Sequence, residues 1–187
     1  YNYDQLKKQI TFILLFLSVS VFGINSVSAQ AIATDPETRI HELGIKLRTR
    51  GGTSSGSFIG AVRVGTLVYL SGQGPLIENG KYIIGKVGKD LNFEEAKNAA
   101  RLTGISMLEA LKANVGNLNN VKRIVKVLGM VNAVPEFDKH SQVINGFSDL
   151  MVEVFGENGK HARSAIGLGS LPRNIPVEVE MIVEMKD

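Results

Sequence analysis

The stretch HARSAIGLGSLPRNIPVEVE, from His161 to Glu180, is the part of the chain around which the rest is organised. Ala162 to Leu168 is apolar and β-branched, and Gly169 to Pro176 holds the glycine and proline residues typical of turns. Val177, Val179, Met181 and Val183 fall on one face of the last segment, and Glu178, Glu180 and Glu184 fall on the other, the period of a strand with one buried face. The stretch therefore predicts two strands around a turn, forming one hairpin.

Two charged side chains on these strands suggest a binding site. Arg163 carries a planar fork of donors that matches a carboxylate. Glu178 is a candidate general acid or base. The functional interpretation is a site for a small acid. The structural alternative is a surface ion pair, worth about 0–1 kcal/mol.

Composition narrows the classes of protein that fit. The 187 residues suit one ordinary domain, and an apolar content of 44% with 21% charged residues is typical of a globular chain. A net charge of +3 does not indicate a nucleic-acid or membrane-surface partner. The chain has no cysteine, which excludes disulfides and thiolate chemistry, and its three histidines lack metal-ligand spacing. We therefore expect no metal site.

Residues 1–29 predict a signal peptide. A basic pair, Lys7 and Lys8, precedes the apolar run ITFILLFLSVSV, and small residues lead up to Ala29, before an expected cleavage point at Gln30. The run is shorter than the about 20 residues of a spanning helix, and an uncleaved membrane anchor is the alternative interpretation. We expect an exported protein, periplasmic or secreted, that is free of the membrane after cleavage.

Residues 30–55 predict an N-terminal helix followed by a loop. Asp35 is the expected N-cap and Pro36 the first helical residue, and the apolar spacing carries the helix to Leu47. The Gly/Ser/Thr-rich segment 48–56 comes next. It is either a plain connection or a flap over a site.

Residues 56–187 predict the main domain. It opens with a hairpin that turns at Gly65, and SGQGP, from Ser71 to Pro75, is either a strand end that binds a ligand or a β-bulge. The further predicted elements are a turn at Asn79-Gly80, a helix over 92–115, a strand over 121–133 and a helix over 139–155.

The helix over 92–115 carries the predicted core. Its apolar stripe has helical spacing and is expected to pack on the sheet; it comprises Ala96, Ala99, Leu102, Ile105, Leu108 and Leu111. The order of elements predicts an α+β two-layer domain, with a mixed sheet and helices on one face. The uncovered sheet face favours oligomerisation.

Three motifs resemble the RidA/YjgF enamine/imine deaminase superfamily: YLSGQGP, VNAVPEF and HARSAIGLGSLPRNIPVEVE. They occur in the family's order and spacing over residues 56–184, and INGFSDLMVEVFGENGKHARSAIG is similar to a divergent branch. The resemblance implies a chorismate-mutase-like fold and a homotrimer with clefts between subunits. It also implies hydrolysis of 2-enamino and 2-imino acids to 2-keto acids and ammonia, without a metal or organic cofactor.

The same resemblance implies roles for individual residues. Arg163, in HARSA, matches the arginine that grips the substrate carboxylate, and Glu178, in PVEVE, matches the glutamate that positions or activates water. Ser71 and Gly72, in LSGQ, match positions of the pocket wall. Asn145, in INGF, matches a family asparagine, although one extra residue separates it from the arginine.

Two further substrate-binding positions depart from the family pattern. Phe58, in SFIGA, stands where members often have tyrosine, and Ala165, in ARSAIG, stands where they often have cysteine. The pocket therefore loses a phenolic hydroxyl and a thiol and gains room. These changes favour a bulkier or different substrate.

Three functions are consistent with the sequence. The first is a hydrolase that deaminates 2-imino acids. The second is a trimeric protein that binds a small carboxylate without chemistry. The third, a ribonuclease, is disfavoured because aromatic content is only 6%, tryptophan is absent and basic residues do not alternate with aromatic ones.

Overall fold

The strand predicted from Val177 onward lies at the middle of the sheet in the computed structural model, which describes residues 35–49, 54–77 and 79–187. Seven strands are present in these ranges: β1 (Ser54–Ser55), β2 (Phe58–Ile59), β3 (Ala61–Val64), β4 (Leu67–Gln73), β5 (Val121–Asn132), β6 (Ala162–Leu168) and β7 (Val177–Met185). Strands β3, β4, β7, β5 and β6 form one sheet in that order, while β1 pairs with β2. Only β5 and β6 pair in parallel, so the predicted mixed sheet is confirmed.

The helices cover one face of this sheet. They are α1 (Pro36–Glu42), α2 (Phe93–Val115) and α3 (His140–Phe155). The alternation predicted for β7 is confirmed, because Val177, Val179, Met181 and Val183 are buried while the glutamates between them point away from the core. The opposite sheet face, called the open face below, has no helix against it in the described part of the chain. The predicted two-layer α+β fold is confirmed.

The predicted hairpin of β6 and β7 is wrong. Strand β5 lies between them, and Val127 of β5 stands opposite both Arg163 and Met181. Parallel pairing requires a crossover connection, and α3 supplies it between β5 and β6. The turn residues 169–176 therefore join two strands that are not neighbours.

Helix α1 begins as predicted but is shorter. Asp35 caps it by accepting a hydrogen bond from the Thr38 backbone N–H at 3.0 Å. The helix ends at Glu42 rather than Leu47, because Gly44 adopts a left-handed conformation (φ 66°). The Ile45 N–H then returns to a carbonyl of the last turn, an arrangement that terminates helices.

The predicted apolar stripe of α2 is partly wrong. Ala96, Ala99, Leu108 and Leu111 are buried, but Leu102 and Ile105 are half-exposed, and Glu109 is buried in the core-facing region. Arg48 explains the burial of Glu109, because its Nε and Nη2 atoms each donate to the Glu109 carboxylate at 2.8 Å. A charge is tolerated in the interior when it is paired in this way. The segment that leads into residue 50 is therefore anchored on α2.

Some predictions fall outside the described residues. The predicted signal peptide and residues 50–53 of the 48–56 loop are among them, so cleavage, export and the role of that loop stay predictions. Within the described ranges, no helix combines the length and the apolar character needed to cross a bilayer.

The crossing of α2 and α3 depends on Gly146. A Cβ atom at this position would overlap the backbone carbonyl oxygen of Lys97. We expect Gly146→Ala to lower the free energy of unfolding by about 2 kcal/mol, the usual cost of overpacking. Urea titrations at one fixed protein concentration would measure this change.

Gly169→Ala is the matched control for this substitution. No atom lies within 4 Å of a Cβ built at Gly169, so the change in stability should stay within about 0.5 kcal/mol. A Gly146→Ala protein as stable as the original would contradict the close crossing, since alanine is otherwise favoured in a helix interior by about 1 kcal/mol.

Candidate functional site

Arg163 lies on the edge strand β6 with its side chain against α3. Its Nη1 atom donates to Asn145 Oδ1 at 3.0 Å and to Ser148 Oγ at 2.9 Å, and its Nη2 atom donates to the Ser141 carbonyl oxygen at 3.2 Å. The three acceptors stand on successive turns of α3, so one helix face sets the position of the guanidinium. The structure thus brings the predicted pair Arg163 and Asn145 together.

All three partners of Arg163 are uncharged. No carboxylate in the described ranges pairs with the guanidinium, so its positive charge is not neutralised there. A guanidinium has five N–H donors, and the three described hydrogen bonds leave Nε–H and one Nη2–H without a described partner. The half-buried cation therefore retains two donors for a ligand. A carboxylate is the anion whose geometry such donors match.

Glu178 lies on β7 beside Gly72. Its carboxylate occupies the space that a Cβ atom at Gly72 would need, so only glycine leaves this side chain where it is. Burial, and to a lesser extent the charge of Glu180, raise the pKa of Glu178 above its usual range. No hydrogen bond or ion pair joins it to another described residue, so its oxygens are open to water or a ligand. A carboxyl group with these properties can take up and return a proton.

Ser71 and Gly72 sit at an irregularity in β4. The pairing of β4 with β7 shifts register between Leu70 and Gln73, which confirms the bulge interpretation of this segment. The Ser71 hydroxyl donates to the Ile59 carbonyl oxygen at 2.8 Å and so ties β4 to the neighbouring chain segment. The bulge is what turns Gly72 toward the Glu178 carboxylate.

Phe58 and Ala165 lie in different surroundings. Phe58 is 60% exposed on the short strand β2, an unusual position for a large apolar ring. Ala165 follows Arg163 on the same side of β6 and packs against the hydrophobic core.

The predicted residues form two separate groups in one chain. Arg163 pairs in register with the buried Val127 and contacts α3, so it lies on the helical side of the sheet. Glu178 pairs with Met130, three residues further along β5, and therefore lies on the open face. Arg163, Asn145 and Ala165 make up the first group, called the arginine group. Glu178, Ser71 and Gly72 make up the second, called the glutamate group.

Sequence reasoning missed two residues of the arginine group. Ser148 contacts Arg163 directly, and its Oγ lies 3.0 Å from Nε2 of His161. Ser141 contributes only its backbone carbonyl oxygen, which no sequence pattern signals. The spacing of 141, 145 and 148 along one helix face is the signal that could have pointed to Ser148.

No group of histidine, aspartate and glutamate side chains suited to a metal ion occurs in the described part of the chain. At the two groups the described side chains offer a guanidinium with two donors that lack a described partner and a carboxyl group whose pKa is raised by burial. Together with the mixed sheet and its two long helices, these groups characterise a two-layer α+β protein with a cationic group and an acidic group on opposite sides of its sheet.

Comparison with known proteins identifies the family. Residues 37–185 match the family model described as "YjgF/chorismate mutase-like, putative endoribonuclease". The chain belongs to this family, the RidA/YjgF superfamily. The fold and superfamily expected from the sequence are thereby confirmed.

Individual relatives cover most of the chain. It is 37% identical over 149 residues to Protein TCP17 of Trypanosoma cruzi. This match covers 79% of this chain and 92% of that protein. It is 28% identical over 131 residues to the 2-iminobutanoate/2-iminopropanoate deaminase of Dermatophagoides farinae, spanning 68% and 85% of the two chains. A crystal structure of a protein of unknown function from Agrobacterium tumefaciens is similar, with 38% identity and a TM-score of 0.74 over 84% of this chain and 97% of that one.

Proposed function

We propose that the protein is a hydrolase that converts small 2-enamino and 2-imino acids into 2-keto acids and ammonia. The observation that carries the proposal is the state of Arg163, whose guanidinium is held by neutral partners and keeps two donors for a carboxylate. Two findings support the same reaction. The chain belongs to the RidA/YjgF superfamily, and its relative from Dermatophagoides farinae is named a 2-iminobutanoate/2-iminopropanoate deaminase.

The reaction needs little from the protein beyond positioning and proton transfer. An enamine first takes a proton on carbon and loses one from nitrogen, which gives the imine. Arg163 holds the carboxylate next to the imine carbon, and Glu178 accepts a proton from the water that adds to the C=N bond. Return of this proton to nitrogen gives the neutral carbinolamine. The hydroxyl proton of the carbinolamine then passes to nitrogen through Glu178, so that the C–N bond breaks and ammonia leaves as the C=O bond forms. Water is the only co-reactant.

A complete site requires two copies of the chain. The arginine group and the glutamate group lie on opposite sides of one sheet, so a substrate cannot contact both within one subunit. We propose the homotrimer expected for this family, in which the arginine group of one subunit meets the glutamate group of its neighbour. Exposed apolar side chains support an assembly through the open face, where Val62, Val64, Tyr69 and Ile166 are 41–62% exposed.

Substrate size is set by two of the predicted positions. Ala165, two residues after Arg163 on the same side of β6, carries only a methyl group, and Phe58 presents an apolar ring to solvent in the single chain. In the trimer we place Phe58 on the wall of the cleft. A site of this kind suits an imino acid with an apolar side chain larger than a methyl group.

The test measures ammonia and 2-keto acid release by the protein. An amino-acid oxidase generates the imino acids in place, and a series from alanine to leucine samples side-chain size. We expect release to be faster than in buffer, with the larger apolar substrates favoured. No acceleration for any amino acid would reject the hydrolase and leave the carboxylate-binding protein, which saturable binding of pyruvate would then support.

A further inference from the structure

Behind Arg163 a series of hydrogen bonds leads to His161. The Ser148 hydroxyl lies 2.9 Å from Nη1 of Arg163 and 3.0 Å from Nε2 of His161. Nδ1 of His161 lies 2.6 Å from the carbonyl oxygen of Gly159. We call these four residues the Arg163 relay.

Only one arrangement of hydrogens satisfies every member of the relay when the histidine is neutral. The Gly159 carbonyl can only accept, so Nδ1 of His161 carries the hydrogen. Nε2 of the neutral ring is then an acceptor, and the Ser148 O–H donates to it. The Ser148 oxygen is thereby turned to accept from Arg163. The neutral ring orients the hydroxyl, and the hydroxyl orients the guanidinium.

Protonation of His161 would disrupt this arrangement. Nε2 would become a donor, so the Ser148 oxygen would face two cationic donors while its own hydrogen lost its acceptor. Burial, and less strongly the charge of Arg163, hold the pKa of His161 below its usual range, against the opposing effect of the bond to Gly159. The ring is therefore neutral at pH 7, and it takes up a proton only in more acidic solution.

The surroundings of His161 contain few other charges. Helix α3 faces it with uncharged groups, the Ser148 hydroxyl and the ring of Phe147, whose centroid is 6.4 Å from that of the imidazole. In the preceding turn Glu157 and Lys160 pair with each other at 2.7 Å. Arg163 is thus the charged partner to which a change at His161 is transmitted.

We propose that His161 is a positioning residue that, in its neutral form, acts through Ser148 to hold the Arg163 guanidinium ready for a carboxylate. The inference rests on the proposed function, since it assigns Arg163 to the substrate carboxylate. It adds a control by pH: carboxylate binding weakens as His161 takes up a proton.

The test measures pyruvate binding by calorimetry between about pH 5 and 8, the range in which histidines titrate. We expect the affinity of the unmodified protein to fall several-fold toward the acidic end. Ser148→Ala should weaken binding about tenfold at neutral pH, the effect of one charge-assisted hydrogen bond, and should remove the loss of affinity toward acidic pH. Protonation of Glu178 would instead strengthen pyruvate binding as the pH falls, because it removes a negative charge from the site.

His41→Gln is the matched control, because His41 lies exposed on α1 and should not affect the pH profile. Nitrogen NMR of the His161 ring gives a readout that does not depend on a ligand. We expect the Nδ1–H tautomer at neutral pH, and a charged ring or the Nε2–H tautomer would overturn the relay.

The possible failures are distinguishable. Pyruvate binding in which Ser148→Ala changes neither affinity nor pH dependence would reject the relay and leave the proposed function intact. Absence of pyruvate binding by the unmodified protein would reject the carboxylate role of Arg163, and the relay with it.

Discussion

Replacing Arg163 with alanine should abolish accelerated deamination, lowering kcat/KM about a thousandfold through the loss of two charge-assisted hydrogen bonds to the carboxylate. Steady-state ammonia release measures the effect. The kcat/KM of Arg163→Lys should lie between those of the unmodified protein and Arg163→Ala, because lysine keeps the charge but lacks the planar fork of donors. The substitution should not unfold the protein, since Arg163 lies on an edge strand and is only half-buried.

Arg123→Ala is the control for the loss of a positive charge. Arg123 is exposed on β5, and its replacement should leave the rate unchanged. An Arg163→Ala protein that retains most of its activity would contradict the assignment of the carboxylate to this residue. A loss of the same size in Arg123→Ala would point instead to long-range attraction of the substrate by net charge.

Glu178→Gln should lower kcat about 10²–10³-fold, because the amide cannot accept a proton from the attacking water. Pyruvate should still bind, since the arginine group is untouched. In the unmodified protein kcat, measured at saturating substrate, should fall as pH drops through the pKa of Glu178, which burial raises above its usual range. This acid-side decrease should be absent from Glu178→Gln.

Glu180→Gln is the matched control, two residues along the same strand and on the same face. The kcat of Glu180→Gln should be close to that of the unmodified protein. Because the charge of Glu180 contributes to the raised pKa of Glu178, its removal should move the acid-side decrease to lower pH. Full activity in Glu178→Gln would contradict the proton-transfer role.

The division of the site between subunits can be tested by mixing two inactive variants. Refolded together in equal amounts, Arg163→Ala and Glu178→Gln chains assemble at random. A site that takes its arginine from one subunit and its glutamate from the next is intact in about a quarter of the positions (1/2 × 1/2), so about a quarter of the activity should return. No recovery would place both residues in one subunit's site.

Some features of the site were predicted from the sequence, and others were missed. Arg163 and Glu178 were identified because each lies within a short motif, and the bulge at Ser71 because glycines interrupt a strand there. Asn145 was placed in the site only through the family resemblance, since nothing in its local sequence signals a contact with Arg163. Ser148 and the Ser141 carbonyl were missed, because contacts of α3 with β6 depend on how the crossover packs.

The local elements were determined by the sequence itself. The capping box at Asn92, the cap at Asp35 and the alternation of β7 are set by interactions within a few residues, and all appear in the structure. The burial of Glu109 has a different origin, since the distant residue Arg48 pairs with it on α2.

Strand pairing was decided only by the tertiary structure. A turn between β6 and β7 predicted a hairpin, but β5 takes the place between them, where Val127 and Val131 are fully buried. The register of β5 with each neighbour places Arg163 on the helical side of the sheet and Glu178 on the open face. The sequence by itself predicted which residues carry the proposed chemistry. The separation of these residues into two groups came from contacts between residues far apart in the chain, whose pairing no local pattern specifies.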